Sequence, residues 1–485
     1  MDVQRYTTKP LERNVFVMSI LPKNGSDDSA ASPLIHYFFR KLDILKLLQK
    51  CNFNKEKGVP IRDVFLALLQ LAFTGMNLYR SIEMEAISIK KDTVYRFLNS
   101  SRYNWRKFLL LLGTSAIKKF VAPLTSDDRV KVLVVDDSLY DRSRSKKVEL
   151  LAKVYDHVTR KYVRGFRMLT LGWSDGATFL PVSFSLLSST KEKNRIQGIN
   201  ENLDKRYNGY KRRSEAFCKA TDMAVELVEK ALKQNIPASY VLFDSWFAFP
   251  SVINKIHDMK INVICMTKRM PHVFYIYRKK HINLEGLYHL ARKKKTGGGN
   301  ILASVQVNLI KGKDIDLPVK VVFVLKRGTK KKDKEGNSGW LAILSTDVSL
   351  SDEEIVRIYG IRWDIEVFFK TTKSLLCLAK EFQGRSYDLL VAHTSIVFVR
   401  YIMLALQCRW NEDGRSCGSL FYQYCQEIKD MDVVAALGLI LLAINEAVRT
   451  VLGASEEKLE ELFRVFKSLL PMRLQRFHPV STCES

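Results

Sequence analysis

Residues 359–373 read Tyr-Gly-Ile-Arg-Trp-Asp-Ile-Glu-Val-Phe-Phe-Lys-Thr-Thr-Lys. Wound as a helix at about 100° per residue, Arg362, Glu366 and Lys373 fall at about 300°, 340° and 320° from Tyr359, a stripe about 60° wide. Ile361, Ile365, Phe368 and Leu375 fall on the other side, so one face can enter a core. The opposite face presents one carboxylate flanked by two cations and a phenol. A carboxylate there can bind a metal, and flanking cations suit phosphates laid across the stripe, which arginine grips in a bidentate way. The plainer reading is a surface helix with an Arg362–Glu366 ion pair.

Further acids stand upstream. Val130 to Val135 is an apolar run of strand length closed by Asp136 and Asp137, and Tyr240 to Phe243 is a second closed by Asp244. A carboxylate at the end of a buried strand is costly unless compensated. Acids converging from separate segments suit hard divalent cations with oxygen ligands. Two such ions can activate an attacking hydroxyl and stabilise the departing oxygen of an in-line phosphoryl transfer. Taken singly, an aspartate closing a strand is more often a turn or cap residue.

The spacing Tyr-2-Arg-3-Glu-6-Lys from Tyr359 to Lys373 resembles the signature of bacterial insertion-sequence transposases of the "insertion sequence four" class. The resemblance covers roughly residues 130–375. It implies an RNase H-like core whose catalytic acids, Asp136, Asp244 and Glu366, hold two Mg2+ ions, with Mn2+ able to substitute. Asp137 remains an alternative to Asp136. It further implies phosphate contacts by Tyr359, Arg362 and Lys373. Trp340 stands where the family stacks a Trp on a base flipped from the element's end; a core or hairpin Trp is the plainer reading. The function implied is cut-and-paste DNA transposition: metal-dependent cleavage of terminal inverted repeats and strand transfer into target DNA. Such enzymes act as homodimers in a synaptic complex. A nuclease that does not join, and a domesticated sequence-specific DNA-binding protein, are the alternatives.

The elements that must position these residues follow from pattern. Residues 1–125 read as a helical N-terminal DNA-binding region. Gly25 to Pro33 is a polar loop, and Pro60 stands where a helix over Ile61 to Phe73 would begin. Within Ser81 to Asn99, a helix capped by Asp92 or Thr93 would carry Tyr95 and Arg96 outward, a helix-turn-helix or a plain helical bundle. Residues 126–260 read as the first part of an α/β core of RNase H-like order: a strand, a hairpin of Gly165 to Trp173 and Thr178 to Leu186 about an Asp-Gly turn, a helix over Ser214 to Gln234, and the strand at 240–243. Residues 261–348 form a β-rich insertion, with basic loops at Arg292 to Lys295 and Lys326 to Lys334. Residues 349–380 hold the core helix with the signature, and 381–485 a helical C-terminal region, a candidate dimer contact.

Bulk properties agree. The chain has 485 residues, enough for two to four domains, and 47% are hydrophobic. Its 78 Lys and Arg exceed its 51 Asp and Glu, a net charge of +27, which favours a polyanion such as double-stranded DNA. Eight Cys are scattered without CxxC spacing, which argues against a zinc site and for reduced thiols. No apolar signal core opens the chain. The apolar runs Leu389 to Leu406, broken by His393 and Arg400, and Val433 to Ile444 read as buried helices, with no membrane span. The expected location is cytoplasmic and nucleoid-associated.

Overall fold

The computed structural model describes residues 33–410, except 85–86, 157, 201–202, 271, 293–299, 311–315 and 327–338, together with 419–426 and a few later positions. The expected Gly25–Pro33 loop up to residue 32, most of the two basic loops, the 433–444 helix and most of the C-terminal region lie outside the described residues, and Pro33 opens a helix rather than closing a loop.

Six helices open the described chain: α1 (Pro33–Lys41), α2 (Ile44–Gln49), α3 (Ile61–Leu71), α4 (Leu78–Glu83), α5 (Lys91–Leu98) and α6 (Trp105–Ala116). Pro60 precedes α3 as expected, its fixed φ suiting a helix start. Asn77 and Asn104 cap α4 and α6 by accepting from backbone N–H groups three residues on. Phe53 organises the centre of this layer, stacked on Tyr103 at 4.3 Å and edge-on to Trp105 at 4.7 Å. The helix expected to display Tyr95 differs in detail. It starts at Lys91 with Lys90 at the cap position and no side-chain cap, and Tyr95 turns inward, edge-on to Phe382 at 6.2 Å. The apolar body of the Tyr ring finds cover against the core, while Arg96 stays exposed.

The sheet begins with β1 (Val132–Asp141), β2 (Ala152–Asp156), β3 (Lys161–Ser174) and β4 (Phe179–Leu187). Strand β3 pairs antiparallel with β1 on one edge and with β2 and β4 on the other. The β3–β4 turn is the Asp-Gly turn read from the sequence. Gly176 takes φ +81°, which an L side chain adopts only under strain, and Asp175 accepts from the Ala177 and Thr178 N–H groups at 3.0 and 2.8 Å. The helix expected over 214–234 is two helices, α7 (Asn208–Glu215) and α8 (Ala220–Lys233). Strand β5 (Tyr240–Phe243), helix α9 (Pro250–Asp258) and strand β6 (Asn262–Thr267) follow, and β1, β5 and β6 are parallel neighbours. The strand at 262–267, read with the insertion, therefore continues the parallel part of the sheet.

Next come β7 (Phe274–Tyr277), β8 (Lys280–Asn283), α10 (Leu284–Arg292), β9 (Ile301–Ile310), β10 (Asp316–Leu325) and β11 (Trp340–Ser345). Strand β11 pairs antiparallel with β6, so these strands lengthen the same sheet, in the order β2-β3-β1-β5-β6-β11-β10-β9-β7-β8 with β4 also on β3. Helices α11 (Asp352–Gly360), α12 (Trp363–Ser374) and α13 (Tyr387–Trp410) complete the described fold, a mixed α/β structure with one large mixed sheet. Helix α13 is long and apolar enough to cross a membrane, but its apolar stretch is wholly buried inside the protein. It packs on β4, α3, α5, α6 and α12, and one hydrophobic cluster runs from the first helices through the sheet. Its polar Arg400 is fully buried, bidentate to Glu381 at 2.9 and 3.0 Å, and donates to the Leu68 and Leu69 carbonyls that end α3.

Candidate active site

The parallel pairing of β1 with β5 ends at Val135 opposite Phe243. The next residue on each strand is an acid, so register alone brings Asp136 alongside Asp244. Asp244 turns at the strand end, its Oδ1 accepting from the Trp246 N–H at 2.9 Å. Alternation separates Asp136 from Asp137. Asp136 faces α12, where Arg362 donates to its Oδ2 at 2.7 Å; Asp137 is ion-paired with Arg167 of β3.

Helix α12 supplies Glu366. Arg362 Nη1 lies 3.4 Å from the Glu366 carboxylate while it holds Asp136, so one guanidinium bridges two of the expected acids. Seven residues on, Lys373 donates to Ser138 Oγ at 2.5 Å. The helix thus runs alongside β1, its charged stripe against residues 136 and 138. The stripe does not lie on one unbroken helix. Between α11 and α12 the N–H groups of Ile361, Arg362, Asp364 and Ile365 reach back three residues rather than four. This tightened turn puts Tyr359 at the end of α11 and Arg362 at the start of α12. The far side of α12 is anchored as expected: Ile365 and Phe368 are buried, and Phe368 meets Phe398 and Tyr401 edge-on at 4.9 and 4.8 Å. Its first turn is tied to the β3–β4 turn by Ser174 Oγ, which donates to Asp364 at 2.6 Å.

Electrostatics mark the cluster. Burial, with Asp244 and Glu366 adding repulsion against the opposing pull of Arg362 and Arg167, pushes the Asp136 carboxyl up to about 8. Burial would lower the Arg362 guanidinium, but Tyr359, Asp136 and Glu366 together raise it. Burial lowers Lys373, opposed by Asp156, Glu366 and Asp141. Burial raises the Tyr359 phenol. Among the described residues no three acidic, imidazole or thiolate side chains close around a metal in this arrangement; the Arg362 guanidinium supplies the compensating positive charge. The donors nevertheless fit a hard divalent cation. They are carboxylate oxygens from three separate elements, and the most buried of them is held in an unfavourable cluster of like charge.

Trp340 is not part of this site. It opens β11, 7% exposed, stacked on Tyr288 at 4.7 Å and met edge-on by Phe323, with the Arg269 guanidinium 4.0 Å from its ring centre. Its ring is packed in the way the plainer core reading describes. The ring beside the acids is Trp246, two residues after Asp244 and 38% exposed, with the Arg167 and Lys268 cations 4.7 and 4.6 Å from its centre. Sequence reading missed both Trp246 and Arg167. The available signal for Arg167 was a cation inside the apolar run from Gly165 to Trp173.

The chain matches two family models: "DDE superfamily endonuclease" over residues 78–280 and "Transposase DDE domain" over residues 218–403. Each model covers less than half of the chain, and both describe DDE enzymes. No curated protein matches the sequence. Among solved structures it is similar to a Drosophila P element transposase strand transfer complex at 11% identity and a TM-score of 0.22, with 53% of this chain covered. The chain spans 56% of that protein's length.

Proposed function

We propose that the protein is a DDE transposase of the "insertion sequence four" type, built on an RNase H-like core whose strands run β4-β3-β1-β5-β6. It cuts the ends of its own element and joins them to target DNA. The observation that carries this reading is that Arg362 bridges Asp136 and Glu366, while Asp244 follows the strand paired in parallel beside Asp136. We take Asp136 rather than Asp137 as the first acid, because Asp136 faces Arg362 and shares it with Glu366, while alternation turns Asp137 to the other side of the strand.

Asp136, Asp244 and Glu366 would hold two Mg2+ ions, with Mn2+ as a substitute. When bound, such ions acidify water and neutralise charge on a phosphodiester in in-line displacement. Arg362 would leave Asp136 and take a phosphate oxygen, a change of partner that keeps its charge compensated. Lys373, at the other end of the stripe, holds a second phosphate. Tyr359 donates a hydrogen bond from a phenol that stays protonated. The buried walls of β1 and β5 fix the acids, so positioning supplies much of the rate. The partners are double-stranded DNA, as terminal inverted repeats and target, and a second copy of the chain in a synaptic dimer. The location is cytoplasmic and nucleoid-associated.

The test is incubation of purified protein with the DNA flanking its gene and Mg2+, beside Glu366→Ala. Cleavage at a repeat tip that the variant loses supports the metal-triad reading, and joined products exclude a nuclease without joining activity. Equal cleavage by both proteins removes Glu366 from the site. Tight, specific binding without cleavage by either favours a domesticated DNA-binding protein.

A further inference from the structure

The outer part of the β2–β3 ribbon, residues 152–156 and 161–164, takes no part in holding the acids, yet it extends the sheet away from them along their own face. Gly165 pairs with Asp141 on one edge and Ala152 on the other, and Asp141 ends β1. Residues 161–164 therefore continue with β2 past the end of β1. Paired residues share a face. Asp136 lies opposite Thr170 and Ser138 opposite Met168; two-residue steps along β3 carry that face through Phe166 to Arg164 and Tyr162, and across to Lys153 and Tyr155. The ribbon thus presents two cations and two phenols on the side of the sheet that holds Asp136.

These side chains are turned to solvent. Tyr155 is 43% and Tyr162 67% exposed, their rings edge to face at 5.3 Å. Lys153 and, in the turn, Arg160 are exposed, and Arg164 is half-buried. The turn is held in shape by Asp156, which accepts from the Val158 N–H at 3.1 Å and from the Thr159 hydroxyl at 2.6 Å. A ribbon held this way loses little freedom on meeting a partner. Its direction is set by α12. The charged stripe runs from Arg362 at Asp136 to Lys373 at Ser138, and Lys373 in turn feels the charge of Asp156. At about 3.3 Å per residue, the ribbon spans about 17 to 30 Å from Asp136, the length of on the order of five to nine base pairs.

We propose that this ribbon face is a DNA-binding surface. It grips the DNA leaving the catalytic acids, with Lys153, Arg160 and Arg164 on phosphates and Tyr155 and Tyr162 against sugars or unstacked bases. Cations interleaved with aromatic rings on an exposed ribbon fit a nucleic-acid strand better than an apolar protein surface. The proposal rests on the reading of the acids as a DNA-processing site.

The test uses the full chain without divalent metal and a fluorescently labelled 40-base-pair duplex of arbitrary sequence with one frayed end, titrated at several salt concentrations. Lys153→Ala with Arg164→Ala is expected to weaken binding about tenfold near 0.1 M salt and to lower the slope of log affinity against log salt by about two. Tyr155→Ala with Tyr162→Ala is expected to weaken binding several-fold and leave that slope unchanged. Lys230→Ala with Lys233→Ala, on α8, controls for loss of charge alone. Wild-type affinity in both ribbon variants overturns the proposal, as does an equal loss in the α8 control. Unchanged DNA binding with loss of a dimer in sedimentation assigns the ribbon to a second copy and also overturns it. Because no cleavage is read, weakened ribbon variants support the surface even where Glu366→Ala cleaves normally, an outcome that would sink the catalytic reading alone.

Discussion

At the scale of single residues, the discriminating pair is Asp136 and Asp137. They are neighbours in sequence with opposite surroundings, one facing Arg362 and two other acids, the other held by Arg167. Asp136→Asn is expected to lower Mg2+-dependent cleavage by at least about a hundredfold, because it removes a charge the reaction uses directly. Asp137→Asn is expected to retain cleavage within about tenfold and to lose stability instead, since it removes a carboxylate paired with the half-buried Arg167. A time course of repeat-end cleavage, with unfolding curves on both variants, separates the two; the reverse pattern would make Asp137 the acid. The sequence left this choice open because both residues end one apolar run. Only the register of β1 against β3 and β5 says which way each points. Trp340 was ambiguous for a related reason: a Trp beside a strand carries no mark of which side it packs on, and here Tyr288 and Phe323 pack against it.

At the scale of elements, the site depends on how α12 is held. The β3–β4 turn does this from below, through Ser174 on Asp364 and the packing of Ile361 near Gly176. Gly176→Ala forces a Cβ onto a left-handed backbone and should cost about 1–2 kcal/mol, seen as a lower urea midpoint with an unchanged slope; an unchanged midpoint would refute the strain. The strands around the site were legible by their apolar runs before Asp136 and Asp244, with an Asp-Gly turn between two others, but not their extent: β1 runs on past Asp136 to Asp141, because its outer half is largely polar yet paired with β3. The ribbon of β2 was not legible, since Ala-Lys-Val-Tyr-Asp is too short and too polar to show a strand pattern. The signature helix was legible as a stripe but not as two pieces. The three-residue hydrogen bonds at 361–365 leave no trace in the periodicity over so few residues.

At the scale of the whole molecule, the clasp of Arg400 on Glu381 and on the end of α3 joins the N-terminal helices to the rest. Arg400→Met leaves the buried Glu381 carboxylate with His393 alone and should cost about 3 kcal/mol, measured as a loss of unfolding free energy in urea. The clasp also predicts a pH dependence. Burial would raise the Glu381 carboxyl, but Arg400 and His393 outweigh it and hold it below its usual value of 4.5. The stability it lends is therefore complete above that value and lost as pH falls through its lower folded value. Urea midpoints taken at neutral and acid pH should fall more steeply for the wild type than for Glu381→Gln, and parallel curves would rule this out. The same clasp bears on synthesis. Its hydrogen bond to Leu69 joins residues 331 apart, so the first helices wait unsealed until residue 400 has left the ribosome. At about 5–20 residues per second that is on the order of tens of seconds with an apolar surface open to chaperones and proteases. A message broken before α13 would therefore yield a polypeptide unable to close its core, and the cell would clear it rather than accumulate the fragment.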